Sequence, residues 1–242
     1  GIQEDYLCGN IEDDFLVTSK GVVSRSNQLL YAGEVETVDD LGYGILRVDL
    51  KGCSRLIHKS GFAILQDCVD DARIIAGHFL AIKMNEKWTL HSFSGRKLID
   101  ETYDNIRSEE NVIVFSRKGK QMLNTIEQIV EAADNNPLPD KMVFDEVRKL
   151  SSDKVLVKNG ALEGVVNSDL KFIIPLDRQE LTLTSFGFTK KVLNKVTTVG
   201  LSEAIDKEEF SEIKPYLNWL GMYKSNRAKL YHQPSAKVME EN

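Results

Sequence analysis

The chain has 242 residues, 42% of them hydrophobic and 28% charged: enough for one large all-β domain or two small ones, and too apolar for a disordered tail. Its formal net charge of −6 argues against nucleic acid and anionic membrane surfaces, both of which call for a basic face. No apolar run approaches the roughly 20 residues of a transmembrane helix.

Residues 1–12 are polar and acidic and read as a flexible N-terminal segment. A leading Gly is what tag removal leaves. If a signal peptide once preceded Gly1, the cell envelope or an extracellular location is favoured over the cytoplasm. Residues 13–123 alternate short apolar runs with polar turns, the pattern of a hairpin array. Strands are expected at 45–50, 55–57 and 62–65, at 79–82, 88–91 and 97–99, and at 112–115 and 121–123. Lys51 with Gly52, and Lys118 with Gly119, supply turns between them. Residues 124–140 form a helical insertion. Ile126, Ile129, Val130 and Ala133 have helical spacing, and Pro137 and Pro139 stop it. This is the candidate seam between two halves.

Residues 141–200 resume the hairpins, with strands at 154–157, 164–166 and 171–174, strand-like sequence at 181–195, and a turn at Asn159 with Gly160. Residues 201–242 read as a helix over 203–220, a last hairpin and a loose tail beyond Pro234. Ser202 is the N-cap, Glu203, Glu208 and Glu209 follow it, Pro215 divides the helix and Gly221 lies past its end. The last hairpin turns at Ser225 with Asn226.

A weak repeat runs through these elements. Apolar strands end at Val17, Val48, Ile82, Val114 and Val157, in steps of 31, 34, 32 and 43 residues, and the insertion lengthens the last step. From Val48, Ile82 and Val157 the same distance leads to Gly61, Gly95 and Leu170, each beyond a polar turn. A period of about 30–40 residues signals an array of supersecondary units, and arrays present surfaces more often than one deep pocket. The expected fold is mainly β: consecutive antiparallel β-hairpin repeats stacked as a curved array, or closed into a propeller-like ring, with helical elements near 124–134 and 203–220.

The units resemble those of the bacterial WG-repeat proteins. KWTLHSFSGRKLIDETYDNI, residues 87–106, carries most of that pattern: Trp88 at the Trp position, Gly95 at the later Gly, and Tyr103, Asp104 and Ile106 in the closing element. Phe144 and Asp145 match the closing element again, and Gly164 takes a Gly position within residues 162–175. Thr89 stands where the family has Gly, Glu163 stands where it has Trp, and neither Ser54 with Arg55 nor Gln121 with Met122 matches. The resemblance covers residues 14–176. It implies a repeated β architecture and an interaction role, with these positions structural: Trp packing between hairpins and Gly permitting turns. It implies no catalytic residue.

Other constellations read as structure. His58 and His91 fall near turns of adjacent repeats but are offset by one residue, which puts them on opposite strand faces; His78 and His232 have no partner in sequence. Asp67, Asp70 and Asp71, and Asp39 with Asp40, lack the alternating ligand pattern of a calcium loop. Ser92, Phe93, Ser94 and Gly95 lack the first Gly of a nucleophile elbow, and Gly42, Tyr43 and Gly44 read as a turn. Lys190, Lys191 and Lys195 make a solvated face. Cys8, Cys53 and Cys68 show no CxxC spacing and exclude a zinc site, while a single bridge between Cys53 and Cys68 stays open. The aromatics Trp88, Phe93, Tyr103, Phe115, Phe144, Phe172, Phe186, Phe188 and Trp219 read as filling between hairpins; the alternative is an exposed stacking platform.

Three functions compete. The first is a non-enzymatic scaffold with a protein partner, needing no metal or cofactor. The second is a carbohydrate or cell-envelope binding module. The third is a hydrolase with a shallow loop-built site using Asp100 and Glu101 or Asp104, which requires two carboxylates facing each other across a cleft.

Overall fold

The computed structural model describes residues 6–8, 14–109, 111–133, 142–185, 187–201, 203–225, 227–232 and 237–241. The chain forms two compact units, residues 1–143 and 144–242. Among the described residues the strands make seven small antiparallel sheets in which neighbouring strands follow one another in sequence.

In the first unit, the first sheet holds β1 (Tyr6–Cys8), β2 (Phe15–Thr18), β3 (Gly21–Ser24) and β4 (Leu29–Ala32). The second holds β5 (Thr37–Gly42), β6 (Ile45–Leu50) and β7 (Cys53–His58), and the third β8 (Asp71–Ile75), β9 (Phe79–Met84) and β10 (Lys87–His91). The fourth holds β11 (Asn105–Glu109), β12 (Val112–Arg117), β13 (Lys120–Thr125) and the two-residue β14 (Val143–Phe144), within which the division between the units falls. In the second unit, the fifth sheet holds β15 (Glu146–Ser151), β16 (Lys154–Asn159), β17 (Leu162–Asn167) and β18 (Phe172–Arg178). The sixth holds β19 (Glu180–Thr184), β20 (Gly187–Val192) and β21 (Lys195–Val199). The seventh holds β22 (Glu212–Tyr216), β23 (Trp219–Lys224), β24 (Arg227–His232) and β25 (Lys237–Glu241).

The repeat is therefore a repeat of whole sheets. Val17, Val48, Ile82, Val114 and Val157 all lie on the second strand of their sheet, and β20 and β23 continue the series. In every sheet the second and third strands are joined by a two-residue turn, from Thr18 paired with Gly21 to Lys224 paired with Arg227. Such tight hairpins twist correctly when the turn residues take positive φ. Asn85 and Glu86 do so at 53° and 64°, and Lys118 and Gly119 at 51° and 74°. In the fifth sheet Asn159 still pairs, with Leu162, so the turn sits one residue later than expected, at Gly160 and Ala161.

Alternate residues of the central strands feed two cores. On β9, Leu80 and Ile82 join a cluster with Ile45, Leu56, Ile64, Val69 and Ala72, while Phe79 and Ala81 join one with Trp88, Leu90, Tyr103, Ile106 and Phe115. On β6, Ile45 goes to one core and Leu46 and Val48 to another. A sheet covered on both faces has apolar side chains at consecutive positions, which is why FLAI and VIVF read as continuous runs.

The helix α1 (Ile126–Ala133) forms as its spacing predicts, with Ile129 buried and Val130 exposed. Thr125 starts it with a capping box: the Gln128 amide donates to Thr125 Oγ1 at 3.3 Å, and the Thr125 amide donates to Gln128 Oε1 at 3.0 Å. Pro137 and Pro139 lie outside the described residues.

Several expectations change. The second helix is confined to α2 (Glu203–Asp206); the rest of 203–220 is β22 and the start of β23. Pro215 lies in β22, an edge strand, where its missing N–H is tolerated, and Gly221 pairs within β23 rather than ending a helix. Residues 62–65 and 97–99 make only single bridges, Ile57 to Ala63 and His91 to Lys97. The tail expected to be loose contains β25, paired along β24, and the flexible N-terminal segment contains β1, paired to β2. Ser202, Asn226 and Phe186 lie outside the described residues. Cys53 and Cys68 are joined in a disulfide, their Cα atoms 5.5 Å apart.

Candidate functional site

Trp88, Tyr103 and Asp104 meet at the passage from the third sheet to the fourth. Trp88 is the second residue of its third strand, and its backbone exchanges two hydrogen bonds with Tyr103, at 2.8 and 2.9 Å. The next residue, Asp104, donates its amide to Ser116 O, on the second strand of the following sheet, at 2.8 Å. Tyr103 and Asp104 thus form a two-residue stitch, one half on each sheet. Ser54 with Val69 and then Asp70 to Lys83 repeats it, as does Val196 with Phe210 and then Ser211 to Tyr223. The outer half is apolar and buried at Val69, Tyr103 and Phe210.

The acid of the stitch also holds the adjacent hairpin. Asp104 Oδ2 accepts the Lys118 amide at 2.8 Å, Asp145 Oδ2 the Gly160 amide at 2.7 Å, and Asp70 Oδ2 the Glu86 amide at 3.3 Å. A two-residue turn leaves amides without a ladder partner, and a carboxylate at this point satisfies one. The Lys87 ammonium beside Asp104, and then the Lys118 amide, hold its pKa below the ordinary carboxylate value.

Trp88 is buried among Ile75, Phe79, Tyr103 and Phe115, with the Arg73 guanidinium 4.1 Å from its ring centre. Arg73 also bonds Asn105 Oδ1 and Ile106 O of the next sheet. Gly95 has φ +86°, and a Cβ there would lie 2.0 Å from Ile64 O, so both conformation and contact demand glycine. Gly164 lies within β17, not in a turn; a Cβ there would come within 3.0 Å of the backbone of Ile174 and Leu176. Phe144 is buried. Glu163, at the Trp position of the fifth sheet, instead accepts the Leu181 amide of the sixth at 2.8 Å.

The chemical constellations are dispersed. His91 is buried between Thr89 Oγ1 at 2.8 Å and Gly95 O at 3.0 Å, and burial lowers its pKa. His58 stacks on Phe62 and bonds Ser60 Oγ. Asp39 and Asp71 pair with Arg47, and Asp40 with Lys59. Lys190, Lys191 and Lys195 each face an acid: Asp177, Glu180 and Glu209. Among the described residues no three His, Cys, Asp or Glu side chains are placed to hold a metal. Asp40, Asp104, Glu127 and Asp153 all have lowered pKa values, opposite to what a general acid requires. Asp100 and Glu101 are exposed, and Asp104 is committed to its hairpin. The described residues present no catalytic constellation.

The chain matches no family model and no curated protein. Among solved structures, Hsv2 of Kluyveromyces lactis is 12% identical, covering 94% of this chain and 92% of that one, with a TM-score of 0.38. The AfRom2 CNH domain is 9% identical over 99% of this chain and 89% of its own, with a TM-score of 0.31. PorZ of Porphyromonas gingivalis, a surface component of the type-IX secretion system, is 10% identical over 94% of this chain and 43% of its own, with a TM-score of 0.30. Likeness at this level assigns neither family nor function.

The aromatics divide. Trp88, Tyr103, Phe115, Phe144 and Phe188 are buried; Phe93 is half-buried against Tyr43, Trp219 is half-buried against His232, and Phe172 is 43% exposed. The most exposed apolar side chains stand elsewhere. Leu193 is 89% exposed and Leu217 97%, each at a hairpin tip, each followed by Asn, and each at positive φ, 54° and 39°. Neither is marked in the sequence, because the Leu-Asn dipeptide they share also occurs at Leu123 and Asn124, inside β13.

Proposed function

We propose that the protein is a non-enzymatic scaffold of WG-repeat type that engages a protein partner through hairpin tips of its second unit. The observation that carries this is the pair Leu193 and Leu217. Tips of this geometry ordinarily hold Asn or Gly; a leucine in the left-handed region costs about 1–2 kcal/mol and exposes apolar surface. Two such placements give no stability in return and suit contact with another surface. The Cys53–Cys68 bond supports an oxidising location, the cell envelope or outside the cell.

The test compares the wild-type chain with a Leu193→Asn/Leu217→Asn variant in capture from native extract. The expected result is a stoichiometric partner retained by the wild type and lost by the variant, with the variant's melting temperature equal or higher. Equal capture by both removes the hairpin-tip reading. A parallel glycan panel tests the carbohydrate alternative: saturable binding lost on Tyr43→Ala or Phe62→Ala replaces the protein-partner reading with it.

A further inference from the structure

A hollow of about 370 Å³ opens beside the β23–β24 hairpin of the seventh sheet. Strand register builds it: Lys224 pairs with Arg227 and Met222 with Lys229, and positions two apart on one strand share a face. Phe210 and Met222, 3% and 0% exposed, supply an apolar floor. Lys229 Nζ donates to Glu208 Oε1 at 2.8 Å, which neutralises one cation. Lys224 and Arg227 have no carboxylate partner among the described residues, although the chain carries 37 acids against 31 Lys and Arg. Two cations that have no carboxylate partner among the described residues therefore stand over apolar floor in a protein that is acidic overall.

We infer that this hollow binds a peptide carboxylate, held by Lys224 and Arg227, whose neighbouring apolar side chain rests on Phe210 and Met222. Arg offers a planar fork matched to a carboxylate, and Lys adds a point charge. A polyanion fits poorly: Glu208 lies in the wall, and a net charge of −6 opposes a long phosphate backbone or an anionic membrane. The inference is independent of the hairpin-tip reading, because Leu217 lies at the other end of β23. The same chemistry is offered by an Asp or Glu side chain and by a chain terminus, so both sources are tested.

The experiment is a titration of the full chain with three labelled peptides of common sequence containing Phe: one with an internal Glu and amidated end, one with Gln and a free terminal carboxylate, and one with Gln and an amidated end. Saturable binding of one or both acidic peptides is expected, weakening with salt and reduced about tenfold or more, roughly 1.4 kcal/mol, in Lys224→Ala/Arg227→Ala. Both side chains are exposed, so the variant is expected to keep the wild-type melting temperature, which is measured alongside. Equal binding of all three peptides, or acidic-peptide binding unchanged in the variant, overturns the inference. Binding to phosphatidylserine vesicles without binding to either acidic peptide overturns it in favour of a membrane surface.

Discussion

The two units run the same plan with different discipline. In the first, Val35 with Glu36, Val69 with Asp70 and Tyr103 with Asp104 recur at steps of 34 residues, each entering the next sheet through a backbone bond to its second strand. In the second, Gln179 precedes the sixth sheet, its Nε2 donating to Glu163 O and Pro175 O, and Ser211 precedes the seventh, its hydroxyl on Tyr223 O. Exposed apolar side chains gather there too: Leu162, Phe172, Ile173, Val192, Leu193, Tyr216 and Leu217. The stitch needs one apolar residue and one hydrogen-bonding residue. The first unit satisfies it with nearly uniform chemistry. The second keeps the acid at Asp145, whose amide donates to Lys158 O and whose carboxylate accepts the Gly160 amide, but places Gln179 and Ser211 before its later sheets and exposes more apolar side chains.

The two tryptophans give the largest contrast. Trp88→Ala removes a ring buried at 6% exposure and its cation–π contact with Arg73, so a loss of about 3–5 kcal/mol is expected in urea unfolding. Trp219 is half-buried beside His232 at 4.4 Å, and Trp219→Ala is expected to cost about 1–2 kcal/mol. A Trp88 loss below about 1 kcal/mol would remove it from the core and reopen the stacking-platform reading. Next in size is the disulfide, which spans 15 residues in the first unit. Cys53→Ser/Cys68→Ser is expected to lose about 3 kcal/mol by the loop-entropy estimate, and dithiothreitol should reproduce that loss in the wild type.

These contrasts explain what could be read from sequence. The period was legible because strands such as 79–82 and 112–115 are apolar on consecutive residues, a signal that survives without alignment. The stitch at Tyr103 was legible only through the resemblance to WG-repeat units. Its copy at Val69 and Asp70 was missed because two residues carry too little periodicity, although the 34-residue recurrence of an apolar residue before an acid, at Glu36, Asp70 and Asp104, was there to be found. The helix read over 203–220 failed for a physical reason. β22 is an edge strand exposed along most of its length, so nothing imposes a two-residue alternation, and the acids around Ile205 and Phe210 imitate a helix start. Leu193 and Leu217 were invisible because propensity places leucine inside, not at a left-handed turn.

A smaller effect tests how tightly the first unit is specified. Asn124 in β13 is 1% exposed, and among the described residues neither its Oδ1 nor its Nδ2 has a hydrogen-bond partner. A buried amide without partners carries its desolvation cost unrelieved. Asn124→Val, in a strand that favours branched side chains, is expected to stabilise by about 1 kcal/mol and raise the melting temperature by about 2–4 °C. A lower melting temperature would mean that the amide is satisfied by internal water.

The subtlest prediction concerns the acid of the stitch. Asp104 has its pKa lowered by Lys87 and by the Lys118 amide, so the unfolded chain takes up the proton first as pH falls. The stabilisation is fully present above the unfolded value, about 3.8, and disappears as pH drops through the lower folded value. Asp104→Asn keeps an acceptor for the turn amide but removes the charge. Its unfolding midpoint should therefore lie below the wild type's near about pH 7, and the gap should close in acid below the folded pKa. Ser211→Ala in the second unit removes a neutral hydroxyl bond to Tyr223 O, and its deficit should stay level across the same range. If the Asp104→Asn gap also stays level, the carboxylate acts through shape rather than charge, as the Ser211 hydroxyl does.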